Sequence, residues 1–249
     1  MYYSMDALNK LNGFWQRGQA MVLDLLFPFH CLGCGREGAA LCVECARTLQ
    51  RTPPSCFVCH AIVPSAAGIM PGRTCQRCRK KTAVAGFFSP FRFEDPVIRE
   101  LIHGLKYARI RSFGSILGDL VADALLYFGL AFSEPVLIVP MPLHPGRQRA
   151  RGFNQAEIIG GRMAERLGYA LQRDLLVRTK FTAPQVGLSG SERRENVKGA
   201  FRVSVSSLPR AGTILLIDDV TTTGATMEQA ARALRLSGAG RVWAITVAR

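Results

Sequence analysis

The sequence predicts an α/β fold, a mostly parallel sheet flanked by helices, with a small cysteine-rich region ahead of it. Short apolar runs at Val136–Val139, Ile214–Ile217 and Val242–Val247 have the length and β-branched composition of strands buried on both faces. Segments of helical periodicity alternate with these runs, which is the pattern of a parallel sheet with helical crossovers. All eight cysteines lie earlier, between residues 31 and 78, so we expect two structural regions.

The composition is that of a globular, basic protein. Of the 249 residues 48% are hydrophobic, and 32 basic against 18 acidic residues give a formal net charge of +14. A chain of this length can bury one medium domain and one small domain. The charge indicates polyanionic partners, which include nucleic acid, phosphorylated ligands and acidic membrane surfaces, although a merely soluble basic protein has the same balance.

The beginning of the chain predicts a protein that does not span a membrane. The first 20 residues lack the apolar core and small-residue cleavage site of a secretory signal. Met21–Phe29 is too short to cross a bilayer and contains Asp24. We therefore expect a cytoplasmic protein with reduced cysteines. Residues 1–30 place apolar side chains at helical spacing and predict an N-terminal helical segment that packs on the protein itself, the alternative being contact with a membrane.

The cysteines form four Cys-x-x-Cys pairs within a predicted double zinc ribbon at residues 31–81. Each such turn points two thiolates at one metal ion, and two turns complete the tetrahedral shell of Zn²⁺. Two structural zinc sites would be held by Cys31, Cys34, Cys42, Cys45, Cys56, Cys59, Cys75 and Cys78. Consecutive pairs could share a metal, or alternate pairs could form a cross-brace. We favour consecutive pairs, because the seven residues between the second and third cysteine suffice for a tight ribbon.

Two other interpretations compete with zinc. Disulfides are disfavoured by a cytoplasmic location, and a redox Cys-x-x-Cys is disfavoured by the fourfold repetition. Basic side chains crowd around the last pair, as a basic ribbon that lies on phosphate backbones would require, although a solvated face has the same composition. These residues are Arg73, Arg77, Arg79, Lys80 and Lys81.

Residues 82–249 predict the α/β domain, which begins with an edge strand and two helices. Alternating phenylalanines at Phe87–Phe93 indicate a strand or hairpin edge. Asp95 followed by proline is a helix start, and this helix ends near Lys106. A second helix is predicted over about residues 113–128.

A basic loop follows the strand Val136–Val139. We expect it to contain Arg147, Arg149, Arg151 and Gly152 and to lead into a helix that Asn154 caps. Unpaired N–H groups at such a helix start bind anions, so the unit is a candidate anion site, although surface charge is the simpler role for its arginines.

The most informative stretch follows the run Ile214–Ile217. Asp218 and Asp219 come directly after it, and a loop of small residues then leads into a helix that ends near Gly238. Small residues before a helix let a phosphate approach its N–H groups, while two adjacent carboxylates suit two adjacent sugar hydroxyls. The pattern predicts a phosphorylated-ribose site rather than a strand end whose aspartate merely caps a helix.

This stretch resembles the phosphoribosyl-pyrophosphate (PRPP) motif of type I phosphoribosyltransferases over Ile214–Thr226. The resemblance implies that Asp218 and Asp219 bind the ribose hydroxyls of Mg²⁺-bound PRPP. The 5′-phosphate would be bound by Thr221, Thr222, Thr223, Gly224, Ala225 and Thr226. The basic loop would hold the pyrophosphate, and a flexible hood at residues 179–198 would add the catalytic candidates Lys180 and Arg194.

The whole chain is similar to the ComF family of bacterial competence proteins. The resemblance rests on the four cysteine pairs, the PRPP motif, Leu105-Lys106-Tyr107, Val139–Leu143, Arg151–Ala156, Gln185 and Arg194-x-Asn196-Val197. It implies a role in DNA uptake and natural transformation, with single-stranded DNA and DNA-uptake or recombination proteins as partners. It leaves open whether the domain is an active phosphoribosyltransferase on an unidentified nucleobase or nucleotide, without a DNA role, or a DNA-handling module.

Overall fold

A computed structural model describes residues 29–64, 70–132, 135–179, 199–204 and 212–249. Contacts divide the chain into two compact units, Met1–Leu49 (unit 1) and Gln50–Arg249 (unit 2). This boundary falls inside the range 31–81 that the sequence predicted as one double ribbon. The predicted N-terminal helix and nearly all of the predicted hood lie outside the described residues.

The described part of unit 1 is a small cysteine-bearing fold with one short helix, α1 (Val43–Thr48). Cys42 caps this helix, and its Sγ accepts a hydrogen bond from the backbone N–H of Cys45 at 3.5 Å. His30 pairs with Glu37 in an isolated antiparallel bridge. The cysteine that precedes the helix therefore also defines its start.

Unit 2 is built on a five-stranded sheet of β1 (Gly86–Phe88), β2 (Val136–Pro140), β3 (Ala170–Leu171), β6 (Thr213–Val220) and β7 (Arg241–Ala248). The strands lie in the order β1-β7-β6-β2-β3, and every pairing among them is parallel. This confirms the predicted mostly parallel α/β architecture. The central strands β6 and β7 are the longest, with eight residues each, because their apolar runs are covered on both faces.

Helices flank the sheet: α2 (Pro96–Lys106), α3 (Arg111–Tyr127), α4 (Pro145–Arg151), α5 (Gln155–Leu167) and α6 (Ala225–Leu236). Alternate residues of β6 face opposite layers, as strand geometry requires. Ile214 and Leu216 pack in the core with α6, whereas Ile217 lies beside Gly160 of α5. No helix in the described ranges is long and apolar enough to cross a bilayer.

Two local expectations differ from the structure. The sequence of Phe201–Val205 predicts one more strand of the parallel sheet. Its described part instead forms β5 (Phe201–Val203), antiparallel to β4 (Leu176–Arg178) in a separate two-stranded sheet. The basic loop is instead the short helix α4. Pro145 favours its first turn, His144 caps it by accepting from the N–H of Gly146 at 3.1 Å, and Gly152 ends it with φ 84°.

The described part of the cysteine-rich segment 50–81, which we call the second ribbon, packs on the sheet within unit 2. Its Gly72 carbonyl accepts from the N–H of Phe87 at 2.8 Å, and the N–H of Thr74 donates to Ala85 at 2.9 Å. The first turn of α6 is tied to the next segment because Glu228 accepts from the N–H of Ala83 at 3.2 Å. The second ribbon is thereby connected to the sheet edge, and the segment after it to the helix that follows the PRPP motif.

Candidate functional site

The PRPP motif lines a cavity of about 700 Å³ at the carboxyl end of β6. Asp218 and Asp219 lie within the last three residues of this strand, not after its end as the pattern suggested. The structure brings them together with the whole predicted phosphate loop, Thr221, Thr222, Thr223, Gly224, Ala225 and Thr226. Ligands of open parallel sheets bind at this end of the strands.

The phosphate loop leads directly into α6. Gly224 occupies the position before the helix with φ 73°, a conformation that glycine adopts without strain, and no side chain caps the helix there. The hydroxyl of Thr223 accepts from the N–H of Ala225 at 3.4 Å. A helix of 12 residues that starts at this loop presents the positive end of its dipole to the cavity.

The paired carboxylates differ in their surroundings. Asp219 is 7% exposed and forms an ion pair with Lys106, whose Nζ lies 2.8 Å from Oδ1. Burial and the neighbouring Asp219 raise the pKa of Asp218 to about 7, although Lys106 opposes this shift. Burial disfavours the charge on Lys106, but the carboxylates of Asp219 and Asp218 outweigh it and raise the pKa of the lysine. Asp219 is thus paired directly with a lysine, whereas the pKa of Asp218 is raised toward neutrality.

Sequence reasoning had used Lys106 only as a helix end and a family motif residue. It missed the lysine as part of the site, because its partner Asp219 lies more than a hundred residues away in the chain. The available signal was a lysine directly after the apolar face of α2, where a snorkelling side chain can reach a nearby acid.

Arg178 is a second residue of the site that sequence reasoning missed. It ends β4, is only 7% exposed, and lines the cavity with its guanidinium 5.6 Å from the ring centroid of Phe201. Burial and the nearby Arg147 lower its pKa, while Asp218 opposes this effect. An arginine that closes the apolar run Leu175–Val177 was the signal, since arginine is rarely buried without a role.

The predicted pyrophosphate residues separate into two groups. Arg147 and Arg151 line the cavity, as their spacing of four residues on α4 allows, whereas Arg149 and Gly152 do not line it. The carbonyl of Ala150 on the same helix accepts from Nη2 of Arg109 at 2.8 Å. Lys180 and Arg194, the catalytic candidates of the hood, lie outside the described residues.

A buried amide also faces this cavity. Gln155 is 1% exposed and lines the cavity, and its Nε2 has no hydrogen-bond partner among the residues that the structure describes. The preceding residue does have partners, because Asn154 accepts from the N–H of Ala156 at 3.1 Å and donates to the Met141 carbonyl at 3.0 Å. An unsatisfied buried donor costs free energy until a ligand accepts from it. Gln155 belongs to the stretch Arg151–Ala156 that resembles the ComF family, but nothing in the sequence indicates that its amide is buried.

The second ribbon reaches the phosphate loop. The ring of Phe57, between Cys56 and Cys59, lies so close to Gly224 that a Cβ there would be 2.6 Å from Cζ. The same ring packs edge-on against Phe87 of β1, with centroids 5.5 Å apart. One turn of the metal-binding segment therefore forms part of the support of the phosphate loop.

The eight cysteines form two groups, each with its sulfur atoms within 4.8 Å of one another. The groups use consecutive pairs, Cys31, Cys34, Cys42 and Cys45 in unit 1 and Cys56, Cys59, Cys75 and Cys78 in unit 2. A tetrahedral Zn²⁺ site with Zn–S bonds of about 2.3 Å has sulfur–sulfur edges of about 3.8 Å. The Cys34–Cys42 and Cys59–Cys75 sulfur distances are both 3.8 Å, so both groups fit zinc.

Backbone N–H groups lower the pKa of one thiol in each cysteine cluster. The N–H groups of Cys42 and Cys34 point at Cys31 and lower the pKa of its thiol to about 6. Burial works against ionisation of Cys56, but the N–H groups of Cys59 and Cys75 outweigh it and lower the pKa of that thiol to about 6. Thiolates are the form that binds zinc.

Comparison with known proteins gives matches over both regions. Residues 22–79 match the double zinc ribbon domain, and residues 154–249 match the phosphoribosyl transferase domain. The chain is 31% identical over 210 residues to the DNA utilization protein YhgH of Salmonella typhimurium, which covers 82% of this chain and 89% of that protein. The corresponding protein of Escherichia coli (strain K12) matches with the same identity and coverage.

Two further matches are shorter. Competence protein F of Haemophilus influenzae is 36% identical over 115 residues, which are 45% of this chain and 50% of that protein. A solved structure of the allosteric regulatory enzyme of purine biosynthesis aligns with a TM-score of 0.36 at 18% identity, over 54% of this chain and 26% of that one.

Proposed function

The chain belongs to the ComF family, which joins a double zinc ribbon to a phosphoribosyltransferase domain, and we propose that it binds Mg²⁺·PRPP and handles single-stranded DNA during DNA uptake in the cytoplasm. One observation carries the PRPP part. Both acids and every residue of the predicted phosphate loop line a single cavity at the carboxyl end of β6.

Each part of the cavity suits one part of PRPP. The carboxylates of Asp218 and Asp219 accept hydrogen bonds from the ribose hydroxyls, and the loop before α6 holds the 5′-phosphate. Arg147 and Arg151 face the same space and bind the pyrophosphate. The described lining has five basic and two acidic residues, a balance that suits a polyanionic ligand. Mg²⁺, bound with PRPP, offsets part of the pyrophosphate charge.

The alternative is an active transferase on an unidentified nucleobase or nucleotide. In that reaction the bond between C1′ and the pyrophosphate oxygen breaks, pyrophosphate leaves, and a nitrogen of the acceptor forms the new bond to C1′. The observation that favours it is a surplus of buried polar groups. Gln155 and Arg178 line the cavity beyond the acids and the phosphate loop. Positioning and stabilisation of the leaving pyrophosphate by arginines would supply the catalysis.

The DNA part of the proposal rests on the charge of the protein and on its sequence similarity to named proteins. Relatives that cover most of this chain are named DNA utilization proteins, and a shorter match is named competence protein F. The net charge is +14, and the basic side chains around the last cysteine pair, Arg77, Arg79, Lys80 and Lys81, are exposed. DNA-uptake or recombination proteins are the partners that this role implies.

Calorimetric titration with Mg²⁺·PRPP, with and without oligo(dT), tests the proposal. We expect PRPP to bind at a single site and oligo(dT) to bind separately. Absence of PRPP binding at millimolar ligand would overturn the phosphoribosyl part and leave a binding module. Release of pyrophosphate on addition of a nucleobase or nucleotide would favour the active transferase.

A further inference from the structure

A second cleft, of about 610 Å³, lies in unit 2 at the start of β7, away from the carboxyl end of β6 where the phosphoribosyl cavity lies. Its walls are the second ribbon, residues 82–85 before β1, the end of α6 and the start of β7. β7 starts at Arg241, paired with Thr213 at the first position of β6, whereas the acids lie at the other end of that strand. Asp218 and Asp219 are five and six residues further along β6 than Thr213, which separates the two places by about 17–20 Å.

Four arginines line this cleft: Arg73, Arg79, Arg235 and Arg241. All four are exposed, and no aspartate or glutamate is present among the described residues of the lining. The Nη1 of Arg235 donates to the Ala239 carbonyl at 2.7 Å, which fixes the direction of that side chain. Guanidinium groups stay charged at every physiological pH, so a concave surface lined by four of them concentrates anions.

The shape and lining of the cleft select the kind of anion. Its apolar lining consists of valine and alanine side chains, and no aromatic ring is among the described residues there. Base stacking therefore has no platform, and recognition would rest on guanidinium–phosphate pairs, which carry no base preference. A space of this volume exceeds one phosphate, and a concave surface does not suit a flat membrane.

We propose that the cleft lined by Arg73, Arg79, Arg235 and Arg241 binds the phosphate backbone of one DNA strand, at a site separate from the phosphoribosyl cavity. This rests on the proposed role with single-stranded DNA and assigns it a place.

The cleft needs two parts of unit 2 at once. Arg73 and Arg79 come from the second ribbon, whereas Arg235 and Arg241 come from α6 and β7, more than 150 residues later in the chain. Cys75, which belongs to the second cysteine group, also lines the cleft. Metal binding in the second ribbon therefore positions half of the cationic surface, and a ribbon or transferase domain alone would present only two of the four arginines.

The test measures binding of fluorescent oligo(dT) to the full chain over a range of salt concentrations. Arg73→Gln with Arg79→Gln removes two charges from the cleft. The matched control, Arg92→Gln with Arg99→Gln, removes two exposed charges that line neither cavity. We expect the cleft variant to reduce the slope of log affinity against log salt by roughly 1.4, the effect of two lost phosphate contacts on a single strand. The control should keep the wild-type slope.

Each other outcome has a definite meaning. If the wild-type chain does not bind oligo(dT), the proposed DNA role is wrong and the cleft proposal falls with it. If it binds but the two variants behave alike, the cleft alone is excluded. Displacement of oligo(dT) by saturating Mg²⁺·PRPP would place the strand in the phosphoribosyl cavity and overturn the cleft.

Two further measurements complete the design. Zinc content and thermal melting establish whether the variants fold. If the first cleft variant does not fold, Arg79→Gln with Arg241→Gln serves as a second one. If the cleft variants keep oligo(dT) but lose binding to phosphatidylserine vesicles, the surface recognises lipid and the proposal is wrong.

Discussion

Phe57 covers Gly224, so a turn of the second ribbon and the loop that precedes α6 are packed together. The contact leaves no room for a side chain at position 224, because a Cβ there would lie 2.6 Å from Cζ of the phenylalanine. Both residues belong to unit 2, and the ring is also packed against Phe87. The loop that we propose as the phosphate site is thus supported by the second ribbon.

Phe57→Ala should weaken binding of ribose 5-phosphate or PRPP by about tenfold. The loop would lose its support and would have to be ordered by the ligand, at a cost of about 1.4 kcal/mol. Calorimetry measures the affinity. Val58→Ala, in the same turn but with a side chain 36% exposed, is the matched control and should bind like wild type. Equal affinities of all three proteins would show that the contact does not support the loop.

Elemental analysis should find two zinc ions per chain. Cys56→Ser with Cys59→Ser should reduce this number to one. It should also weaken the binding of phosphate-bearing ligands, because the metal would no longer hold the turn that carries Phe57. Cys31→Ser with Cys34→Ser should also leave one zinc but keep the affinity, since that group belongs to unit 1. If both pairs of substitutions lower the ligand affinity equally, the effect is a general destabilisation of the protein.

Asp218→Ala with Asp219→Ala should abolish measurable PRPP binding. Each charge-assisted hydrogen bond to a ribose hydroxyl contributes about 1.5–3 kcal/mol, so loss of two should weaken binding at least about 100-fold. Oligo(dT) affinity should be unchanged, because the acids are far from the four-arginine cleft. Parallel loss of both ligands would instead indicate one shared site or a damaged fold, which circular dichroism distinguishes.

Ligand affinity should rise as the pH increases through about 7. Asp218 has its pKa raised to about 7 by burial and by Asp219, so below that pH it is protonated and is a poorer acceptor for two hydroxyl groups. Calorimetry over a pH series measures this. Asp218→Asn removes the titrating group, and any dependence that remains in it belongs to the ligand phosphates. Lys106→Met should move the midpoint upward, because Lys106 stabilises the ionised form of Asp218.

Gln155→Leu should show whether the cavity only binds PRPP or also holds the acceptor of an active transferase. The buried Nε2 has no partner within the described part of the chain, so replacement by an apolar side chain of similar size should preserve or raise thermal stability. If a ligand accepts from this amide, affinity should fall about fivefold to tenfold, as for one neutral hydrogen bond. Unchanged affinity for PRPP with impaired transfer to an acceptor would assign the amide to the second substrate.

Features that are contiguous in the chain were predictable. The PRPP motif, the zinc-binding pairs and the helix start at Asp95 each depend on residues within one short stretch, and the carboxylate of Asp95 does accept from the N–H groups of Val97 and Ile98. Apolar runs likewise predicted the central strands, because burial on both faces excludes polar residues from them.

Features that depend on distant residues were not predictable in this way. Nothing in a single sequence pairs Lys106 with Asp219, or Phe57 with Gly224, because each contact joins segments more than a hundred residues apart. The basic loop was also misread, since three arginines obscured a helix that Pro145 begins and Gly152 ends. Its helical form decides which arginines reach the cavity.

The pairing of Gly72 and Thr74 with the segment 85–87 also bears on aggregation. β1 is the outermost strand of the sheet, and its free side would otherwise offer unpaired backbone groups to the strands of other molecules. The second ribbon covers part of that side with antiparallel hydrogen bonds. Loss of zinc from Cys56, Cys59, Cys75 and Cys78 would then do more than lower the affinity for a ligand. It would uncover a strand edge, and metal-depleted protein should self-associate through it.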